Sequence, residues 1–163
     1  MELADEASKE CLRIEEDSVF SAKSHFEAAS FWRKTHLWIG VPSAVLAGVV
    51  SVSAFKEQAL VAGALSILVA AFGAVATFLN PSGKASEHHS AGNSYLALRN
   101  RSRRFRSIEL GSLDIEDIKE RVLSLGQQKD ELSASTPEIP EWAFKKARKN
   151  IEDGQTEYDV DRA

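Results

Sequence analysis

Two apolar stretches without a single Asp, Glu, Lys or Arg dominate the hydropathy pattern of this chain. Residues 37–55 read LWIGVPSAVLAGVVSVSAF, and Ala59–Leu79 read ALVAGALSILVAAFGAVATFL. As helices they would measure about 28 and 32 Å, close to the ~30 Å hydrocarbon core of a bilayer. Only three residues, 56–58, separate them. The pattern predicts two membrane-spanning helices that form a tight hairpin. A hairpin inside a soluble core is disfavoured, because the other segments are short and charged.

The segment before the first stretch has the spacing of an amphipathic helix. Apolar or small residues recur every three or four positions, with Ser18 filling the one gap: Leu3, Ala7, Cys11, Ile14, Ala22, Phe26 and Ala29. We predict that this helix enters the membrane without a break, with an aromatic belt at the boundary formed by Phe31, Trp32 and Trp38. Pro42 either kinks the helix or marks a point where it restarts.

Helix-breaking residues divide the segment after the second stretch. Asn-Pro-Ser-Gly at 80–83 ends the second span, and Ser82 is the predicted N-cap of a helix that continues over 84–107. Leu-Gly-Ser at 110–112 is the next break. Asp114 should cap a helix over 115–132, with Lys129 interrupting its apolar seam of Ile115, Ile118, Val122, Leu125 and Leu132. Pro140 suits the first turn of a short helix that ends near Ile151.

These elements predict an all-α fold: an integral membrane two-helix hairpin with long cytoplasmic helical extensions. The predicted segments are an N-terminal amphipathic helix over 1–36, a first span over 37–55, a second span over 59–79, a helical region over 80–152 and a disordered acidic tail over 153–163.

The overall composition gives no sign of the hairpin, but it argues against nucleic-acid binding, a disulfide and a thiolate metal site. The mean hydropathy of −0.22 and the 27% of charged residues would suit a soluble protein, because all the charge lies outside the spans. The net charge of −4 gives no reason to expect nucleic-acid binding. Cys11 is the only cysteine, so we expect a small buried residue and neither a disulfide nor a thiolate metal site. Basic residues flank both spans, which predicts that both termini are cytoplasmic.

Small residues form stripes on both predicted spans. Stripes with a spacing of four suit close helix packing or oligomerisation in lipid, and they comprise Gly40, Ala44 and Gly48 on the first span and Ser66, Ala70 and Ala74 on the second. The stripes serve either the hairpin alone or contacts between copies. If several copies enclose a water-filled path, its candidate lining residues are Ser43, Ser51, Ser53 and Thr77, with Ser66 also placed to contribute.

No residue pattern indicates catalysis, a metal or a cofactor. Glu87, His88 and His89 form the one cluster with metal-ligand character, but adjacent helical histidines point about 100° apart and do not easily chelate one ion. Hydrolase, metalloprotease and phosphate-loop motifs are missing from the sequence. We therefore expect a protein that is not an enzyme.

Five arginines crowd the stretch 99–106, and three acidic residues occupy 15–17. Counting along two helices that leave the membrane side by side places Asp17 level with Arg99, and Glu10 level with Arg106. The favoured hypothesis is a charge zipper between these helices. Contact of the arginines with lipid, a nucleotide or nucleic acid is the alternative.

Residues 15–135 resemble the SLATT family of bacterial two-transmembrane proteins associated with nucleotide-sensing defence systems. The resemblance rests on FWRKTHLWIG entering the first span and on FLNPSGKASEHHSAGNSYLALRNRSRR leaving the second. Its most specific element is a motif after the second span, formed by Lys84, His88 or His89, Ala91, Gly92, Tyr95 and Leu98.

The resemblance implies a homo-oligomeric effector that permeabilises the bacterial inner membrane during antiviral defence. It also implies control by a separately encoded partner such as a nucleotidyltransferase, since this chain carries no nucleotide-sensing domain. The competing interpretation is a non-conducting membrane anchor that recruits a cytosolic partner through residues 115–151.

Overall fold

The computed structural model describes residues 2–55 and 58–154, with the side chains of residues 2 and 53–55 excepted. Over these residues the fold is all-α, which confirms the predicted class. It consists of α1 (Glu2–Phe55), α2 (Ala59–Leu79), α3 (Pro81–Arg104), a π-helical turn (Phe105–Glu109), α4 (Ile115–Ser135) and α5 (Glu141–Glu152).

The first helix is 54 residues long and includes both the amphipathic segment and the first apolar stretch. The prediction of an unbroken helix is therefore confirmed, and Pro42 lies inside it without ending it. α1 and α2 are both long and apolar enough to cross a membrane. No residue of α2 is buried.

Contacts divide the chain into two units. The packed unit comprises Met1–Ala28 and Glu87–Ala163, and the apolar unit comprises Ala29–Ser86. The limits of these units fall inside helices, so α1 and α3 each contribute residues to both units.

The packed unit has a hydrophobic core contributed by α1, α3, the π turn and α4. Its buried members are Ala7, Cys11, Ile14, Leu98, Phe105, Ile118 and Leu125, with Leu110, Val122 and Leu132 packed around them. Ala7, Cys11 and Ile14 of the predicted α1 stripe and most of the predicted seam on α4 therefore face this core, whereas Leu3 of the stripe is 40% exposed. Ile115 is an exception: its side chain is 68% exposed because it lies in the first turn of α4, ahead of the packed part of the seam.

Among the described residues of the apolar unit, 29–55 and 58–86, no such core is present. One line of half-buried residues follows each helix: Ile39, Pro42, Ser43, Leu46 and Val50 on α1, and Ala62, Leu65, Val69, Phe72, Ala76 and Leu79 on α2. The spacing of three and four is that of helices that pack along one seam. The other apolar side chains of 37–52 and 59–79 are exposed, up to 94% for Phe78.

Asn80 caps the N-terminus of α3, rather than Ser82 as the sequence analysis predicted. Asn80 adopts a left-handed conformation (φ 42°) that ends α2, and its side-chain Oδ1 accepts a hydrogen bond from the amide of Gly83 at 3.2 Å. Pro81 can then occupy the first helical position, where no amide hydrogen is needed. One residue therefore ends one helix and caps the next.

The remaining helix limits agree closely with the sequence. Asp114 caps α4 by accepting a hydrogen bond from the amide of Asp117 at 3.0 Å, as predicted. Pro140 directly precedes α5. Of the predicted disordered tail, Asp153 and Gly154 form a turn and 155–163 lie outside the described residues.

Candidate functional site

Two histidines meet in the interior of the packed unit, one from α1 and one from α3. The Nδ1 atoms of His25 and His88 are 2.9 Å apart, a hydrogen-bond distance. His25 is fully buried and His88 is 5% exposed. One Nδ1 must carry a hydrogen and donate the hydrogen bond, and the other must be unprotonated and accept it. At least one of the two rings is therefore neutral.

Burial keeps this pair in its uncharged form. It lowers the pKa of His25 from 6.5 to about 4, with a smaller contribution from the neighbouring His88. Burial also lowers the pKa of His88, against an opposing effect of Glu87. The Nε2 atom of His25 is buried and has no hydrogen-bond partner among the described residues. An unsatisfied group of this kind costs about 1–3 kcal/mol.

Tyr95 completes the cluster on α3. Its ring stacks on His25 with 5.6 Å between centroids and 19° between planes. Its hydroxyl lies 3.4 Å from the hydroxyl of Ser133 on α4. The His25–His88–Tyr95 cluster therefore connects three helices of the packed unit.

The residues that carry the family resemblance are largely interhelical contacts. Gly92 is buried against Phe26, and a Cβ atom at Gly92 would lie 2.7 Å from the Phe26 ring, so a larger residue would require that ring to move. His89 is exposed on α3 but its ring lies 5.5 Å from that of Phe26. Ala91 is buried, and Leu98 belongs to the core.

The motif's lysine has a contact within the apolar unit. The Lys84 ammonium lies 4.4 Å from the centre of the Trp32 ring, a cation–π geometry. Lys84 follows the second apolar helix, whereas Trp32 precedes the first apolar stretch. The contact therefore joins the two segments that flank the apolar stretches.

The predicted charge zipper is present in part. One ion pair joins an acidic residue of α1 to an arginine of the stretch 99–106, and the other contacts have partners that were not predicted. Arg106 donates from Nε to Glu15 at 2.8 Å and from Nη2 at 3.3 Å, and this bond raises the pKa of Arg106. Glu10, which was predicted to lie level with Arg106, forms its ion pair with Arg13 on its own helix. The partner of Arg106 is therefore Glu15 and not Glu10. Helical side chains lean toward their own N-terminus, so Glu15 and Arg106 converge between antiparallel helices.

The other partners of the zipper come from α4. Asp17 pairs with Lys129, the residue that interrupts the α4 seam. Arg101 donates to Gln128 at 2.8 Å. The sequence analysis considered only α1 and α3, and it therefore missed the helix that supplies both of these contacts.

The small-residue stripes lie on exposed surfaces of the apolar unit. Gly40, Ala44, Gly48, Ser66, Ala70 and Ala74 are all exposed, and a Cβ at Gly40 or Gly48 would meet nothing within 4 Å. They are therefore separate from the half-buried seams described above.

The candidate lining residues are also largely exposed. Ser51 and Thr77 are exposed and Ser43 is half-buried, while the side chain of Ser53 lies outside the described part. The hydroxyls of Ser51, Ser66 and Thr77 donate to the carbonyl four residues earlier. This bond satisfies the donor within the helix itself, as an apolar surrounding requires.

Three buried polar residues were not predicted from the sequence, because buried positions were inferred from the spacing of apolar residues. They are His25, Ser24 and Ser102. The Ser102 hydroxyl donates to the carbonyl of Cys11 at 3.0 Å, which ties α3 to α1 in the core. Cys11 is buried as expected, and burial raises the pKa of its thiol.

Comparisons with protein families, curated proteins and solved structures find no match. Within residues 2–55 and 58–154, no group of three or more His, Cys, Asp or Glu could hold a metal ion.

Proposed function

We propose that this chain is an oligomeric membrane protein whose apolar unit crosses the bilayer twice and, in several copies, forms a pore. The observation that carries the proposal is α2, a helix of 21 residues with no charged and no buried residue. A surface of this kind is costly in water and stable in lipid.

The seams and the Lys84–Trp32 contact support a hairpin. Heptad-like spacing on both apolar helices is what two helices need to pack side by side. Lys84 and Trp32 lie close together, although residues 37–79 with both apolar stretches lie between them in the chain. An antiparallel pair with its turn near 56–58 accounts for both observations.

The exposed stripes support assembly. Two helices are too few to enclose water, so a conducting path needs several copies. Gly40, Ala44 and Gly48 lie outside the seam and offer a flat backbone surface on which a neighbouring hairpin could pack closely. We propose that weakly polar Ser and Thr side chains line the resulting path, and that the packed unit holds it shut until a signal arrives.

The biological setting of the proposal rests on the resemblance of 15–135 to SLATT proteins. It comprises insertion into the bacterial inner membrane with both termini cytoplasmic, a role in antiviral defence and control by a partner or a nucleotide signal. Labelling tests the orientation: a cysteine introduced at Gln58 should react with a membrane-impermeant reagent from the periplasmic side. Reaction from the cytoplasmic side only would contradict it.

Ion flux through the purified full chain in liposomes tests the pore. We expect the wild-type protein to assemble into oligomers and to release a trapped ion, and Gly48→Leu to insert without assembling or conducting. Val49→Leu is the matched control, because it also adds apolar volume to an exposed position but points away from the stripe. A Gly48→Leu protein that assembles and conducts normally would show that the stripe is not the contact.

One observation favours a second candidate, a non-conducting anchor that recruits a cytosolic partner. Ile115 and Leu123 on α4 are 68% and 65% exposed, so α4 has apolar side chains that a partner protein could contact. A wild-type protein that stays monomeric and passes no ions under every activating condition would favour this anchor over the pore.

A further inference from the structure

The packed unit contains a cavity with a strongly basic lining that the proposed pore does not use. It has a volume of about 310 Å³ and lies between the end of α3, the π turn and α4. Its lining residues are Arg101, Arg104, Glu109, Arg121, Leu125 and Gln128. Three guanidinium groups and one carboxylate give the lining a net charge of +2.

Within residues 2–55 and 58–154, the arginines of this cavity are only partly neutralised. Arg101 bonds to the uncharged amide oxygen of Gln128. Arg121 has only a long contact to Glu109, 3.6 Å from Nη2 to Oε2. Arg104 forms no ion pair with any residue of 2–55 or 58–154. By contrast, the nearby Arg106 has a short two-bond contact with Glu15.

The π turn gives the cavity its shape. The amide of Leu110 donates to the carbonyl of Phe105, five residues earlier, at 2.9 Å. Glu109 is the last residue of this wider turn, and it lines the cavity together with Arg104 and Arg121. Turns of this kind occur often at functional sites.

We propose that this cavity binds the phosphate groups of an anionic ligand. Guanidinium groups match phosphate oxygens with two parallel hydrogen bonds, and three of them around one cavity suit a ligand with more than one phosphate charge. The volume is at the lower end of that of small-molecule sites. The ligand is either a soluble phosphate compound or the phosphate of a lipid headgroup, since both present the same oxygens.

Calorimetric titration of the full chain in neutral detergent with tripolyphosphate tests the site. We expect saturable binding near one ligand per chain. Arg104→Gln and Arg121→Gln should each weaken it about tenfold, since each removes a charged hydrogen bond. Gln128→Glu keeps the side-chain size but adds a negative charge to the cavity, and it should abolish binding.

Arg148→Gln is the matched control, because Arg148 is an exposed arginine on α5 that pairs with Glu152 outside the cavity. It should change the affinity less than about twofold. Circular dichroism and size-exclusion chromatography of each variant establish that it is folded. An Arg148→Gln effect as large as that of Arg104→Gln would mean diffuse attraction and would overturn the site.

Nanodiscs that contain phosphatidic acid distinguish the two sources. Binding of tripolyphosphate in detergent supports a soluble ligand. If tripolyphosphate fails and only phosphatidic-acid discs show an effect that Arg104→Gln removes, the phosphate is a lipid's. The absence of both effects overturns the proposal. None of these outcomes depends on conduction, so the site and the pore can fail separately.

Discussion

The two units of this protein treat their large apolar side chains in opposite ways. In the packed unit, Phe105 is 1% exposed and belongs to a core built from four elements. In the apolar unit, Phe78 is 94% exposed, and no residue of α2 is buried. The contrast is what two solvents require: water around the packed unit and, as we propose, lipid around the apolar unit.

Polar groups follow the same division. The packed unit buries histidine and serine side chains and connects its helices through ion pairs such as Glu15–Arg106. In the apolar unit, Ser66 and Thr77 bond only to their own helices. Polar side chains thus connect different helices in the packed unit, whereas the hydroxyls within the apolar stretches bond to their own helix.

The largest expected effect comes from truncating the two phenylalanines. Phe105→Ala leaves a cavity in a closed core and should reduce the free energy of unfolding of the packed unit by about 3–5 kcal/mol. Phe78→Ala removes the same atoms from an exposed position and should change it by less than about 0.5 kcal/mol. Urea unfolding in detergent, followed by circular dichroism, measures both. Equal losses would remove the distinction between the units.

The fold was largely predictable because its elements depend on local signals. The charge-free runs, the apolar periodicity of α1 and α4, the Asp114 cap and Pro140 all act within one or two helical turns. Ser82 was predicted as a cap because serine is a good one, but Asn80 also tolerates the left-handed conformation that ends α2. The junction needs one residue that ends α2 in the left-handed conformation and caps α3 with its side chain, and Asn80 meets both requirements.

The candidate site was less predictable because its partners are distant in sequence. His25 and His88 are 63 residues apart, and no pattern in α1 distinguishes a buried histidine from an exposed one. The motif of Gly92 and Tyr95 was visible, but its partner Phe26 was expected only as one member of an apolar stripe. Arg101 and Arg121 converge through tertiary packing of α3 and α4, to which a linear run of arginines gives no guide.

The histidine pair makes acid a selective probe of the packed unit. The pKa of His25 is lowered from 6.5 to about 4, so its stabilising effect is complete above pH 6.5 and is lost as the pH falls toward 4. The loss should be about 3 kcal/mol for the packed unit. The apolar unit should keep its helical signal, because α2 has no titratable residue.

Urea titrations at several pH values between 7.5 and 4 measure this effect. The double variant His25→Leu/His88→Leu removes both partners and should lose most of the dependence in that range, whereas His36→Gln should retain it. A wild-type protein whose packed unit is equally stable at both ends of the range would show that the pair is not held neutral by burial.

The smallest effect concerns the ion pairs that are confined to the packed unit. Glu15 and Arg106 are 13% and 27% exposed and form two bonds, whereas Glu6 and Lys9 are 58% and 59% exposed. A double-mutant cycle with Glu15→Gln and Arg106→Gln should give a coupling of about 1 kcal/mol, because partial burial strengthens the interaction. The corresponding cycle for the exposed pair of Glu6 and Lys9 should give a smaller coupling. High salt should remove most of the second coupling and less of the first, since buried charges are screened less. Equal couplings with equal salt dependence would mean that Glu15–Arg106 is an ordinary surface pair with no part in aligning α1 and α3.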